Sequence, residues 1–410
     1  MRSMIGEHVA MSLSENNPPH DLLVIGNPGD KRVELFQAAL ARLDLPEARL
    51  VSYLDLIAGR APLADLLTPA TWVRLESPGR NFEVERALLA LGAECEEPER
   101  TGTYSRLSRR TIEALSFEKG LILPSRQWYL GYCRVLELIA KQVAPAQLFN
   151  RPEDIRLMFD KRACHALLSE QGIAVPASLG PVHSYNELLA IMQQKRCSRV
   201  FVKLAHGSSA SGVVAYRYQG ARHQAITTVE MVRDVNGTRL YNSRKIQIYE
   251  QQAVIAELID MLCAQRVQVE QWIPKAGYAN KTFDVRILTI AGQACHSIAR
   301  LSQSPLTNLH LLNARAHTEN IRERLGETVW TRAIADCERA ALLLRSLYTG
   351  IDLLFTADMR RHAIVEMNAF GDLLPGLLHH GLDTYTAEVL ALFQYANQET
   401  GTRERGMTHV

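Results

Sequence analysis

Apolar and polar positions follow two different periods along this chain. In DLLVIGNPGDKRVELFQAALARLDL (21–45) a continuous apolar run ends in the turn Gly26-Asn27-Pro28-Gly29, and apolar residues then recur at helical spacing. That pattern predicts a buried strand, a tight turn and an amphipathic helix, the opening of an α/β unit. RLVSYLDLIAG (49–59) predicts a second strand and a connector, and NFEVERALLALGAE and WYLGYCRVLELIAKQVA read as helices.

A second unit begins near RPEDIRLMFDKRACHALLSEQGIAVPAS (151–178), with a helix expected to run to Gly172, a good residue just past a helix end. SRVFVKLAHGSSASGVVAYRY (198–218) then gives two β-runs around a small-residue loop. EMVRDVNGTRLYNSRKIQIY carries Asn236-Gly237 between strand-like flanks, the strongest short hairpin signal. A helix (251–265) and the strand VQVEQWI come next. FDVRILTI and QACHSIARL are joined by Ala291-Gly292, another hairpin candidate. The helix TVWTRAIADCERAALLLRSLY leads into GIDLLFT, and a turn at 358–361 returns into HAIVEMNAF. No internal repeat or low-complexity tract interrupts this order.

Composition narrows the class. A chain of 410 residues exceeds the size at which one core keeps growing, so two or three domains are expected. With 47% hydrophobic and 22% charged residues it is ordinary globular composition. The net charge of +2, with no extended Lys/Arg cluster, argues against a nucleic-acid partner but leaves a small anionic ligand open. Seven scattered cysteines with no C-x-x-C pair suit a reduced, cytoplasmic protein without a zinc site. No apolar run is long enough to span a membrane, and residues 1–20 lack the apolar core of a signal peptide and read as a flexible leader.

Chemistry concentrates in the second half. HAIVEMNAFGD (362–372) ends an apolar strand in Glu366 and Asn368, two residues apart and therefore on one strand face. Asp352, at the start of DLLFT, is brought against them by the turn at 358–361, and three oxygen-bearing groups suit a hard cation such as Mg²⁺. Lys203 sits in VFVKLA, and the loop His206-Gly207-Ser208-Ser209-Ala210-Ser211-Gly212 comes immediately after it. A lysine and a Gly/Ser loop together can hold phosphate oxygens, although no Walker A pattern closes the loop. Asp284 and Arg286 share one face of FDVRILTI, and Arg300 lies in the partner strand, so a positive wall can stand beside a metal-bound phosphate. The bland alternatives are a buried carboxylate paired with arginine and a flexible hairpin tip. The turn at Gly26–Gly29 is not G-x-G-x-x-G, so a dinucleotide site there is a minor alternative to a plain turn.

The order of these pieces resembles the ATP-grasp superfamily, to which D-alanine–D-alanine ligase, biotin carboxylase and the ribosomal-protein glutamate ligases belong. The resemblance covers roughly 155–395. FDKRACHALLSEQGIAVPAS looks like the superfamily's "DK…L…G-I-x-V-P" segment and makes Lys161 a first nucleotide lysine. VFVKLAHGSSASGV is similar to "V-V-K-P-x-x-G-S-S-G-x-G-V", which makes Lys203 the second lysine and assigns Gly207, Ser208, Ser209 and Gly212 to the phosphates. VEQWI resembles the hinge strand that holds adenine, with Glu270 and the backbone near Trp272 and Ile273 facing the base. GIDLLFT…AIVEMNAFG is similar to the ending that carries the metal ligands, here Asp352, Glu366 and Asn368. FDVRILTIAGQ resembles the "D-x-R-V-x-V-x-G" strand, and Arg300, with Arg286, falls where an acyl phosphate is supported. SPLTNLHLLNAR is similar to "N-L-H-x-G-G" and offers Asn308 and His310, with Asp372, as weaker substrate contacts. Leu204-Ala205 replaces the lysine strand's usual proline, and Phe370-Gly371-Asp372, near where the acceptor binds in relatives, replaces the usual small-residue-Pro-Gly.

The resemblance implies an α/β (α+β) ATP-grasp fold preceded by a Rossmann-like α/β domain. The expected division is a leader (1–20), that α/β domain (21–150), a central and lid subdomain (151–270), a C-terminal subdomain with the metal site (271–398) and a tail (399–410). The implied activity is ADP-forming ligation of a carboxylate to an amine, with ATP and Mg²⁺ (Mn²⁺ as an alternative ion). The carboxylate and amine are small molecules or peptides. A kinase or a non-catalytic ATP-binding protein on the same fold stays open as an alternative, and so does a homodimer.

Overall fold

The computed structural model of the chain describes residues 21–97, 104–144, 147–208, 211–235, 237–307 and 314–393. Three β-sheets succeed one another in sequence. The first is parallel, in the order β2-β1-β3, from β1 (Asp21–Gly26), β2 (Arg49–Ser52) and β3 (Thr71–Leu75). The continuous apolar run of β1 needs cover on both faces. Leu22 and Val24 pack with α1 (Lys31–Arg42), while Leu23 and Ile25 pack with α2 (Phe82–Ala93) and α3 (Ser125–Gln142).

The expected single helix at 151–172 is two, α4 (Pro152–Met158) and α5 (Lys161–Glu170). Asp160 causes the break. Its carboxylate accepts from the backbone N–H groups of Arg162 and Ala163 at 3.1 and 3.2 Å, so a fresh helix starts there and Lys161 occupies its first turn.

The second sheet is antiparallel, in the order β7-β6-β5-β4-β8: β4 (Arg199–Leu204), β5 (Val213–Gln219), β6 (Arg222–Asp234), β7 (Gly237–Tyr249) and β8 (Val267–Gln271). Helices α6 (Tyr185–Gln194) and α7 (Gln252–Cys263) cover one face of it. At the end of the β6–β7 hairpin Asp234 stands opposite Gly237; Asn236 lies outside the described residues.

The third sheet runs β12-β11-β10-β13-β14, with β9 paired to β10: β9 (Gly277–Tyr278), β10 (Lys281–Ile290), β11 (Gln293–Ser302), β12 (Ala314–Ala316), β13 (Tyr348–Phe355) and β14 (His362–Asn368). Ala291 and Gly292, with φ of 49° and 79°, form the two-residue turn that joins β10 to β11. After α8 (Thr318–Leu325), helix α9 (Glu327–Leu342) lays Trp330, Ala333 and Cys337 on the apolar face of this sheet.

A buried ionic cluster joins the first sheet to the C-terminal part. Arg74 of β3 has no exposed surface and bonds three carboxylates, Glu76 at 2.7 Å, Asp372 at 2.5 Å and Glu388 at 2.7 Å. Phe36 and Tyr348 lie 4.7 Å from its guanidinium. Arg32 adds a second cation, 3.7 Å from Asp372, and donates to the carbonyl of Phe370 at 2.8 Å. Three carboxylates thus face two arginines, and Glu76, Asp372 and Glu388 each keep one oxygen without a hydrogen bond. All seven cysteines are free. Among the described residues no helix is long and apolar enough to cross a membrane.

Candidate functional site

Strand periodicity aims the side chains. In β4, Val200, Val202 and Leu204 enter the core of the second sheet, so Phe201 and Lys203 point the other way. In β8, Val267 and Val269 go inward, while Gln268 and Glu270 share the face of Lys203. The Lys203 ammonium bonds the Glu270 carboxylate, a pair with only 10% and 4% of its side chains exposed.

The loop after Lys203 is tied down at both ends. A Cβ on Gly207 would lie 2.8 Å from the carbonyl of Ser211, and one on Gly212 (φ +65°) would overlap the Leu204 side chain, so only glycine fits either place. The carbonyl of Gly207 accepts from Lys161 Nζ at 2.6 Å.

Across from this loop, the third sheet presents a row of charges. Arg286 on β10 stands opposite Asp352 on β13, which stands opposite Glu366 on β14. A bulge at Val365, between the pairs Leu353–Ile364 and Asp352–Glu366, turns both Val365 and Glu366 away from the core. Asn368, opposite Gly350, comes next on the same strand and donates to the Gly350 carbonyl at 3.4 Å. Arg286 Nε bonds Asp352 at 2.5 Å, and Arg300 Nη2 reaches the other oxygen at 3.1 Å. Arg300 Nε also bonds Asp284 at 2.6 Å, and Asp284 in turn holds Lys275 at 3.2 Å and the hydroxyl of Thr307. The result is an alternating chain, Arg286–Asp352–Arg300–Asp284–Lys275.

Burial alone would raise the pKa of Asp352, but the guanidinium groups of Arg286 and Arg300 overcome it and hold the carboxyl far below its ordinary value. For Lys275 burial wins over the attraction of Asp284, and its pKa falls below that of a free lysine.

Most of these groups line one cleft between the second and third sheets, about 770 Å³ counting its open mouth, while Arg286 and Asn368 stand outside its lining. Lys161, Lys203, Gly207, Glu270, Ile273, Arg300, Asp352 and Glu366, all singled out in the sequence, meet there. Lys161 Nζ bonds Glu366 at 2.6 Å as well as the loop carbonyl. Trp272 turns its ring onto Phe201, 5.6 Å between centroids, and its backbone N–H donates to the Arg199 carbonyl at 3.2 Å. Ser209, Asn308 and His310 lie outside the described residues. Asp372 is not brought to the cleft: its side chain is fully buried on Arg74, because the chain bends inward after Phe370.

Sequence reasoning missed Lys275 and Thr307, which join the cleft through Asp284. Their only signal was position, Lys275 two residues beyond Ile273 and Thr307 beside the Asn-Leu-His segment.

The donors suit a hard cation in kind, being two carboxylates and a carboxamide. Among the described residues no three His, Cys, Asp or Glu side chains converge as a ready-made metal cage. Asp352 and Glu366 are neutralised by Arg286, Arg300 and Lys161, so a cation here has to share the site with an anionic ligand that draws those side chains to itself.

No family model matches the chain, and no curated protein matches it by sequence. Solved structures do. D-alanine–D-alanine ligase from Bacillus anthracis, determined with ATP, is 11% identical, covers 94% of this chain and 99% of its own, and superposes with a TM-score of 0.50. The ATP-grasp ligase PsnB, complexed with a minimal precursor, is 16% identical over 92% of this chain and 99% of its own, with a TM-score of 0.49. D-cycloserine synthetase DcsG is 12% identical over 92% and 99%, also at 0.49. The chain has the ATP-grasp fold.

Proposed function

We propose that this chain is an ATP-dependent ligase that joins a carboxylate to an amine and releases ADP and phosphate. One observation carries the reading. Four cations, Lys161, Lys203, Lys275 and Arg300, and the opposed carboxylates Asp352 and Glu366 face a single cleft under a Gly/Ser loop, with Arg286 behind Asp352. Such a cleft suits a polyphosphate with its metal.

Adenine lies along β8 against Phe201 and Ile273, and the phosphates lie between Lys161, Lys203 and the loop from Gly207 to Gly212. Asp352, Glu366 and Asn368 would hold Mg²⁺, which when bound supplies charge neutralisation for the phosphate oxygens. Lys161 and Lys203 leave their carboxylates for phosphate oxygens and hold the terminal phosphoryl group in line with the substrate carboxylate. Arg300, set between Asp284 and Asp352, offers its remaining N–H groups to the acyl phosphate that results, and Arg286 supports it from the same wall. The amine then attacks the acyl carbon, and phosphate leaves. The same reading divides the chain into an α/β domain (21–150), a central and lid subdomain (151–270) and a C-terminal subdomain (271–398), and takes small-molecule or peptide acids and amines as substrates. A cytoplasmic protein is the setting that fits seven free cysteines.

The first test is calorimetry of ATP with Mg²⁺, wild type beside Glu366→Ala/Asn368→Ala. Mg²⁺-dependent binding that the double variant loses supports the site, and a screen of carboxylates for ADP release comes next. Equal binding by both proteins sinks the reading. A phosphorylated product without amide would make the enzyme a kinase on this fold.

A further inference from the structure

Among the described residues the N-terminal part of the chain lines none of the cleft, yet it meets the phosphate loop at His206. His206, the first residue of that loop, is buried and stacks on Tyr129 of α3, 3.9 Å between ring centroids and 10° from parallel. Its Nδ1 lies 3.0 Å from the carbonyl of Phe159, and its Nε2 lies 3.2 Å from Arg126 Nη1, also on α3. A carbonyl only accepts and a guanidinium only donates, so the ring is fixed as the neutral Nδ1–H tautomer. Burial, with Arg126 beside it, keeps the ring neutral against the pull of Asp160, its pKa pushed down to about 3. Arg126 is itself anchored on Glu97 at 2.6 Å.

His206 and its partner Phe159 each stand just ahead of a group at the phosphate site. Phe159 precedes Asp160, which caps α5, and Asp160 precedes Lys161. His206 precedes Gly207, whose carbonyl holds the Lys161 ammonium. The backbone N–H of Lys161 donates to Ala205 at 3.0 Å, and that of Ala205 donates to Arg266 at 2.9 Å. The imidazole thus bridges the base of the phosphate loop to the start of the lysine-bearing helix and clamps both onto α3. We propose that His206 is a positioning residue, through which α3 sets the phosphate loop against Lys161 and so fixes the affinity for the triphosphate. This gives the N-terminal part a role in nucleotide binding that its own sequence does not announce. It rests on the cleft being the nucleotide site.

The experiment compares MgATP affinity by calorimetry, and melting temperature, in wild type, Glu366→Ala/Asn368→Ala, His206→Gln and His206→Asn. An asparagine amide reproduces the Nδ1–H donor toward Phe159, and a glutamine amide reaches toward Nε2 instead. The expected result is a loss of about tenfold in affinity for His206→Asn, which has neither the stacked ring nor an acceptor for Arg126, with His206→Gln, whose amide oxygen accepts from Arg126, restored to within about threefold of wild type. Wild-type affinity in His206→Asn overturns the proposal while leaving the nucleotide site intact. Equal losses in both variants that track their melting temperatures overturn it too, because they indicate general packing. If wild type binds no MgATP, or the Glu366→Ala/Asn368→Ala protein binds it equally well, the nucleotide site and this proposal fall together. Should a His206 variant not fold, Tyr129→Leu, which removes the stacked ring and its bond to Arg156, carries the same test: unchanged affinity overturns the proposal and a tenfold loss upholds it.

Discussion

Asp352 and Glu366 stand directly opposite one another on β13 and β14, yet each is neutralised from a different side of the cleft. Arg286 and Arg300 hold Asp352 from within the third sheet, and Lys161 holds Glu366 from α5. Two carboxylates in register would repel if left bare. The arrangement sets an opposite charge against each carboxylate and brings three cations to this part of the third sheet.

Glu366→Gln separates binding from folding. The Glu366–Lys161 pair is partly exposed, at 26% and 13% of the side chains, and Lys161 keeps the Gly207 carbonyl. Stability is expected to change by less than about 1 kcal/mol, while MgATP affinity drops about tenfold or more. Chemical denaturation and calorimetry on the same preparation check this, and a variant that binds MgATP normally would remove Glu366 from the metal site.

Lys203→Met behaves differently, because Glu270 is nearly inaccessible. Removing one partner of a buried pair costs about 3–5 kcal/mol, since the other is left charged and unpaired. Lys203→Met/Glu270→Gln removes both charges and should regain most of that loss, yet fail to recover ATP binding. Urea midpoints of the single and double variants give the answer. A double variant no more stable than the single one would mean that Glu270 has another partner in the folded protein.

Gly350 and Gly371 touch through their backbones. A Cβ on Gly350 would lie 2.5 Å from the Gly371 Cα, and one on Gly371 would overlap the Gly350 Cα. Neither backbone can yield as a flexible side chain would. Gly350→Ala is therefore expected to destabilise by about 1–3 kcal/mol and to displace Asn368, its cross-strand partner, lowering MgATP affinity as well. Wild-type thermal stability in Gly350→Ala would show that the two strands can separate freely.

The Arg74 cluster predicts a pH dependence of stability. Burial raises the pKa of Glu76 to about 7 against the opposing pull of Arg74, with Asp372 adding to the rise. A carboxyl with a raised pKa binds its proton more tightly when folded than when unfolded. Its contribution is therefore fully present below the unfolded value of about 4.5 and is lost as pH climbs toward 7. Glu76→Gln should flatten this slope, which stability measured by denaturation between pH 5 and 8 reads directly. A wild-type slope that the substitution leaves unchanged would place the retained proton on another member of the cluster, Glu388 being the next whose pKa burial raises.

Much of this protein is set by local pattern. Alternation along β4, β8, β10 and β13 decides which side chains face the cleft, and the Ala291-Gly292 and Asn236-Gly237 signals decide where the chain reverses. Lys203, Arg300, Asp352 and Glu366 could therefore be gathered from spacing, because a period of two fixes a face whatever lies opposite, whereas Lys161, on a helix, was singled out only by the resemblance of its segment. The identity of the partner was left to the tertiary structure. Lys275 reaches Asp284, Asp372 goes to Arg74 rather than to substrate, and His206 sits between Tyr129 and Arg126. Each of the last two contacts joins segments far apart in the chain, 298 residues for Arg74 and Asp372 and 80 for Arg126 and His206. Periodicity says which way a side chain points, but only packing brings a second element to meet it. The helix break at Asp160 shows the same division on a smaller scale. The apolar spacing continues across residues 159–161, and it is the carboxylate turning back onto two N–H groups that ends one helix and begins the next.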